Sequence, residues 1–135
     1  AAPAAAPPQN RQMEERLRSF LQNYTNAYAS RDLNRFDDFF GPDARENGKP
    51  FASLLPKYQK NFDMIDAIMY RIELQQYTYD SSQKTVRLEG NFLLKWLPPD
   101  KQWRENAGKI FMDLKDDGRS FVVQNLEYYG SRGSN

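Results

Sequence analysis

Two tyrosines four residues apart, Tyr24 and Tyr28, and a glutamate in the run Glu46-Asn47-Gly48 are the residues of this chain best suited to chemistry. A phenol can donate a hydrogen bond to developing negative charge, and a carboxylate can move a proton. Tyr24 with Glu46 could therefore supply a hydrogen-bond donor and a proton carrier. Other routes are closed, because the chain has no histidine and no cysteine. Imidazole bases, Ser-His-Asp and Cys-His sites, thiolate metal ligation and disulfides are all excluded.

The same residues also have plainer readings. Tyr24 and Tyr28 fit amphipathic core positions with satisfied hydroxyls. Glu46 fits a solvated strand-end carboxylate, or one paired with an arginine. Trp96 and Trp103 flank Pro98-Pro99, either as an exposed aromatic clamp for a peptide or glycan or as rings packed across a hairpin. Asp116-Asp117-Gly118 resembles a calcium loop only superficially. It lacks further oxygen ligands at regular spacing and reads as a turn. Asp37-Asp38 reads as a solvated helix face. No catalytic constellation stands out, and no metal or cofactor is expected.

The elements that must position these residues follow from composition and periodicity. A chain of 135 residues with 39% hydrophobic and 14% aromatic residues is one domain with a real core. Nineteen basic against 18 acidic residues leave a net charge of +1, without the basic block of a nucleic-acid binder. No run approaches the ~18 apolar residues of a transmembrane helix. The first residues lack the pattern of a signal peptide.

Residues 1–10, AAPAAAPPQN, read as an Ala/Pro-rich linker that implies an upstream domain or anchor. The folded domain is expected over 11–130, with 131–135 as a frayed tail. Met13, Leu17, Phe20, Leu21, Tyr24, Ala27 and Tyr28 form one apolar stripe, predicting a helix over about 11–30. Asp32 should cap a short helix whose buried side is Leu33, Phe36, Phe39 and Phe40, stopped by Gly41-Pro42. A third helix is expected over about 51–62, with Leu54, Leu55, Tyr58 and Phe62 inward and Pro56 starting or kinking a turn. Four strands should follow, separated by turns at 80–83, 98–101 and 116–119. The expected fold is α+β: three N-terminal helices on a curved four-stranded antiparallel sheet.

This layout resembles the nuclear transport factor 2-like (NTF2-like) superfamily, with its SnoaL-like cyclases and ketosteroid isomerase, in a bacterial branch. The matching residues are Tyr24 and Tyr28, Arg31-Asp32-Leu33, Phe39-Phe40, Asp43-Ala44, Glu46-Asn47-Gly48 and the four-strand meander. The resemblance implies a cone-shaped fold with an internal pocket. It does not imply one activity, because the superfamily holds isomerases, cyclases, dehydratases and binding modules. Of the isomerase roles, Tyr24 matches the tyrosine. Glu46 is displaced from the position of the base, and Asp113 falls on the wrong face for the second acid. The cyclases use histidine, which is missing here.

The pocket walls expected from this arrangement are Tyr24, Tyr28, Tyr58, Tyr70 and Trp96, with Glu46 at the mouth. The reading that results is a non-catalytic binding or assembly module at the end of a larger bacterial protein. It would hold a small amphiphile, a partner segment or a second copy. The alternatives are a small isomerase, dehydratase or cyclase-type enzyme using Tyr24 and Glu46, or a positioning module for a cell-envelope hydrolase. The sheet face carrying Phe92, Leu94 and Trp96 is a candidate dimer contact. The expected compartment is the bacterial cytoplasm or periplasm, leaning to the cell envelope.

Overall fold

The first helix, α1 (Pro8–Ala29), begins three residues before its expected start, in a computed structural model that describes residues 8–130. Proline is tolerated in a first turn because its missing amide has no partner there. The expected linker thus overlaps α1 at Pro8–Asn10. Residues 1–7 and the expected tail, 131–135, lie outside the described residues. The apolar stripe packs as predicted, with Leu17, Phe20, Leu21, Tyr24 and Ala27 buried. Asp32 caps α2 (Leu33–Asp37), and its carboxylate accepts from the Arg35 amide at 3.3 Å.

The chain then departs from expectation. Phe39 and Phe40 do not extend the helix, because strand β1 (Phe40–Glu46) opens there. A two-residue strand, β2 (Lys49–Pro50), pairs back on it. A 3-10 turn (Phe51–Leu54) leads into α3 (Leu55–Met64), where Pro56 sits in the first turn and starts the helix rather than kinking it. Four long strands follow: β3 (Ala67–Asp80), β4 (Thr85–Leu97), β5 (Arg104–Asp116) and β6 (Phe121–Gly130).

Among the described residues the sheet has six strands in the order β2-β1-β6-β5-β4-β3, not four. It is mixed, because β1 runs parallel to β6 while β3 to β6 form the expected antiparallel meander. Strand β1 was hidden by its content. Gly41 and Pro42 are poor strand residues, and here they fall where the ladder loses register between Phe40 and Arg45. Further register breaks at Leu74/Gln76 and at Asp113/Leu114 interrupt the meander. Such irregularities bend strands and sharpen twist, and the sheet is curved and open.

Curvature gives the sheet two unlike faces. Ile68, Ile72, Leu88, Phe92, Ile110, Met112 and Leu126 are buried on the concave face under the helices. Register places Leu94 and Trp96 opposite Tyr70 and Ile68, also on this side. The candidate dimer contact thus lies on the helix-covered side, with Phe92 buried and Leu94 and Trp96 partly buried against the core. The convex face carries their neighbours in alternation. Arg87 pairs with Asp113 at 2.9 Å, Lys109 with Glu89 at 3.3 Å, and Gln76 bonds Glu89 at 2.7 Å. Asp113 is thus on the outer face, as alternation predicted.

Candidate functional site

Glu46 is set by the turn that follows it. Asn47 and Gly48 have φ of 50° and 83°, the left-handed pair that a two-residue type I′ hairpin requires, and Asn-Gly is the sequence best suited to supply it. Asn47 is held twice: its amide donates to the Leu126 carbonyl at 2.7 Å, and its side-chain oxygen accepts from the Tyr128 amide at 3.1 Å. Alternation along β1 then turns Ala44 and Glu46 inward. Glu46 is 6% exposed. It is neither the solvated carboxylate nor the arginine partner that its position suggested.

Two phenols meet it there. The Tyr58 hydroxyl, from α3, donates to Oε1. The Tyr128 hydroxyl, from β6, donates to Oε2 at 2.7 Å. Tyr128 was missed in the sequence, although the alternation from Leu126 places it on the concave face. Among the described residues Glu46 has no ion pair.

The surrounding rings form a continuous cluster. Tyr28 lies edge-on to Tyr70, Phe62 and Phe36 at centroid distances of 5.0, 5.1 and 5.2 Å. Phe40 stacks on Phe51 at 3.7 Å. Burial raises the pKa of every tyrosine in the cluster. Tyr28 is pushed up to about 12, by burial first and then by the negative Glu46. Tyr58 and Tyr128 rise by the same two causes in the same order, and their bonds to Glu46 add to them. Tyr24 and Tyr70 rise through burial and then through neighbouring tyrosines. All five stay protonated near neutral pH and serve as donors.

Two small cavities share part of their lining. The inner, about 70 Å³, is lined by Tyr24, Tyr28, Tyr58, Tyr70 and Tyr128 with Phe92 and Asn106 among its other walls. The outer, about 120 Å³, is lined by Glu46, Tyr28, Tyr58 and Tyr128 with Leu54, Lys57 and Asn61. The shared wall is Tyr28, Tyr58 and Tyr128. The hydroxyls of Tyr24, Tyr28 and Tyr70 bond no described residue, yet no described buried polar atom lacks a partner. These hydroxyls must therefore reach space that water can enter.

Four of the five expected wall aromatics line the inner cavity, and Trp96 does not. Trp96 packs against the core, whereas Trp103 is 51% exposed and no ring contact joins the two. Two wider grooves, of about 670 and 700 Å³, flank α1, and neither is lined by Glu46. Among the described residues no cluster of three acids could hold a metal ion, and no helix is long and apolar enough to cross a membrane. The Asp116-Asp117-Gly118 segment is a turn. Asp116 accepts from the Gly118 amide at 2.8 Å, and Asp117 from the Arg119 and Ser120 amides at 2.9 and 2.7 Å.

No family model and no curated protein matches the chain by sequence. Solved structures match it by shape. An NTF2-like superfamily protein from Salmonella enterica superposes with a TM-score of 0.70 at 9% identity, covering 93% of this chain and 96% of its own. A hexachlorocyclohexane dehydrochlorinase (LinA, type 2) gives 0.70 at 11% identity, covering 90% and 87%. Bd1075 of Bdellovibrio bacteriovorus gives 0.70 at 11% identity, covering 93% of this chain but only 44% of the longer Bd1075. The α+β cone of this chain therefore has the fold of the NTF2-like superfamily, which these structures share whether or not their names carry a reaction.

Proposed function

We propose that this chain is a non-catalytic binding module, attached to a larger bacterial protein, that takes a small ligand group or one protruding partner side chain at the tyrosine wall around Glu46. The observation that carries this reading is the division of the site. Tyr24 and Glu46, the pair an acid–base mechanism would need, line different cavities, which have only Tyr28, Tyr58 and Tyr128 in common. A group seated within one of these small cavities touches one member of the pair and not the other. Each Glu46 oxygen already accepts a phenol hydrogen bond, so the carboxylate is held in place as a fixed acceptor.

Cavity size narrows the guest. Drug-sized ligands occupy roughly 300–1,000 Å³. Cavities of about 70 and 120 Å³ admit only a headgroup or a side-chain tip, so the tail of an amphiphile would have to lie outside. The NTF2-like fold fits ligand binding, and its occurrence within the longer Bd1075 chain supports an appended module.

Two measurements test the reading. Turnover is assayed on a β,γ-unsaturated ketone for double-bond isomerisation and on a β-hydroxy ketone for dehydration, and none is expected. Turnover that vanishes in Tyr24→Phe or Glu46→Gln would make the protein an enzyme. In parallel, amide NMR spectra are recorded with a panel of fragment-sized alcohols, amides and amines. Shifts at Tyr58, Tyr128 and Asn47 are expected, and a panel that leaves all three unmoved removes the binding reading.

A further inference from the structure

Glu46 is a buried carboxylate whose only described partners are two neutral phenols, and it opens onto a crevice walled by aromatic rings. Buried charges are ordinarily matched by an opposite charge. Asp116, the other buried carboxylate among the described residues, is matched by Arg16 at 2.8 Å. Glu46 has no described match. From this juxtaposition we propose that the outer crevice is a site for a small organic ammonium group, best a methylated or quaternary one. This rests on the binding-module reading and specifies its ligand class.

Four features fit that guest. First, Tyr58 and Tyr128 each occupy one lone pair of one Glu46 oxygen, which leaves acceptor capacity on the carboxylate facing the crevice. Second, Tyr28, Tyr58 and Tyr128 surround the space, with Tyr28 and Tyr58 nearly perpendicular at 85° and 6.2 Å. Perpendicular rings wall a rounded rather than a flat space, and tyrosine faces attract cations through their quadrupole. Third, about 120 Å³ equals roughly four water-sized groups, which is the scale of a trimethylammonium head. Fourth, both Glu46 oxygens already accept phenol hydrogen bonds, and a methylated ammonium, which carries few or no donors, asks for no further acceptor beside the charge.

Lys57 is the competing cation. It lines the same crevice and forms no ion pair with a described acid within 4.0 Å, so its own ammonium is the rival occupant.

The experiment titrates the chain with choline chloride and, separately, with 3,3-dimethylbutan-1-ol, the uncharged carbon analogue of the same shape. Binding is read by calorimetry and by amide shifts, at constant ionic strength set with sodium chloride. Choline is expected to bind at least about tenfold more tightly than the alcohol. Glu46→Gln should bring choline down to the alcohol's level. Tyr28→Leu, which keeps the carboxylate and removes a ring, should weaken choline several-fold even if Glu46→Gln fails to fold. Lys57→Ala should leave choline affinity unchanged or raised. Equal affinity for the two probes overturns the ammonium site while leaving a small-ligand module intact. Binding of neither probe by the unmodified chain overturns the ammonium site. If the fragment panel also leaves Tyr58, Tyr128 and Asn47 unmoved, the module reading falls with it. Choline binding that appears only in Lys57→Ala makes Lys57 the resident cation and also overturns it.

Discussion

Asp116 and Glu46 are both 6% exposed, and they lie beside β6, Asp116 at its start opposite Phe121 and Glu46 near its middle opposite Leu126. Their surroundings differ in one respect that decides their roles. Asp116 takes two hydrogen bonds from the Arg16 guanidinium, at 3.1 and 2.8 Å, and a third from Gly118. Arg16 in turn lies 4.4 Å over the Phe121 ring. The hydrogen bond from Arg16, above all, holds the Asp116 carboxyl below the usual carboxylate range. The charge is matched inside the chain, no described cavity is lined by Asp116, and the result is a clamp between α1 and the β5–β6 turn. Glu46 is equally buried, but its partners are dipoles and it faces open volume. A buried acid matched by a guanidinium is part of the architecture, whereas a buried acid matched only by phenols beside a crevice has been left available to something else.

The harshest way to break the contrast is to remove the wall behind Glu46. Phe36 is buried, and its ring lies within 5.1–5.5 Å of Tyr24, Tyr28, Phe40 and Tyr58. Phe36→Ala should cost about 3–5 kcal/mol in denaturant unfolding, because so crowded a site can relax only in part. A loss below about 1 kcal/mol would show that the aromatic cluster is not what supports the Glu46 end.

The sharper test exchanges each acid for its amide. Asp116→Asn should lower stability by about 1–3 kcal/mol, since it discharges one partner of a charge-assisted bidentate pair. Glu46→Gln should cost less than about 1 kcal/mol, because an amide still accepts one phenol hydrogen bond and donates to the other. Equal losses would erase the distinction drawn here. The acid limb should separate them as well. A carboxyl whose folded pKa is lowered stabilises above its unfolded value, near 3.8, and that contribution fades as pH falls through the folded value. The gap between the parent chain and Asp116→Asn should therefore close below pH about 4, and a gap that persists would place the loss outside the ion pair.

The mildest expected effect lies on the alkaline side. Tyr28 is raised from 10.0 to about 12, so folding binds its proton more tightly. Its contribution is intact below pH about 10 and is lost as pH rises from there through about 12. Tyr28→Phe should blunt the alkaline decline over that window without changing the acid limb. An unchanged alkaline profile would mean that Tyr28 does not carry this part of it.

Much of this molecule is written in local pattern. The stripe on α1, the Asp32 cap, the alternation of the four long strands and their turns are period and punctuation effects, and each is carried by residues close in the chain. Strands β1 and β2 were not legible. Their residues include Gly41, Pro42 and Pro50; β1 is a strand through its pairing with β6, some 80 residues away, and β2 through its pairing with β1. Trp96 was misplaced because alternation gives its face and not its depth. It lies at the Ile68 end of the β3–β4 ladder, beyond the reach of the cavity.

By itself the sequence determined the chemistry that is possible here: with no histidine and no cysteine, any proton chemistry would need a carboxylate, a lysine or a tyrosine. It also determined that Asn47-Gly48 would turn the chain sharply after Glu46. Only the tertiary structure decided which acid became a clamp and which was left facing a crevice. Tyr58, Tyr128 and Arg16 lie 12, 82 and 100 residues from the carboxylates they meet. The environment of a charge is fixed by what folding brings within a few ångströms of it, and residue spacing along a chain does not encode that.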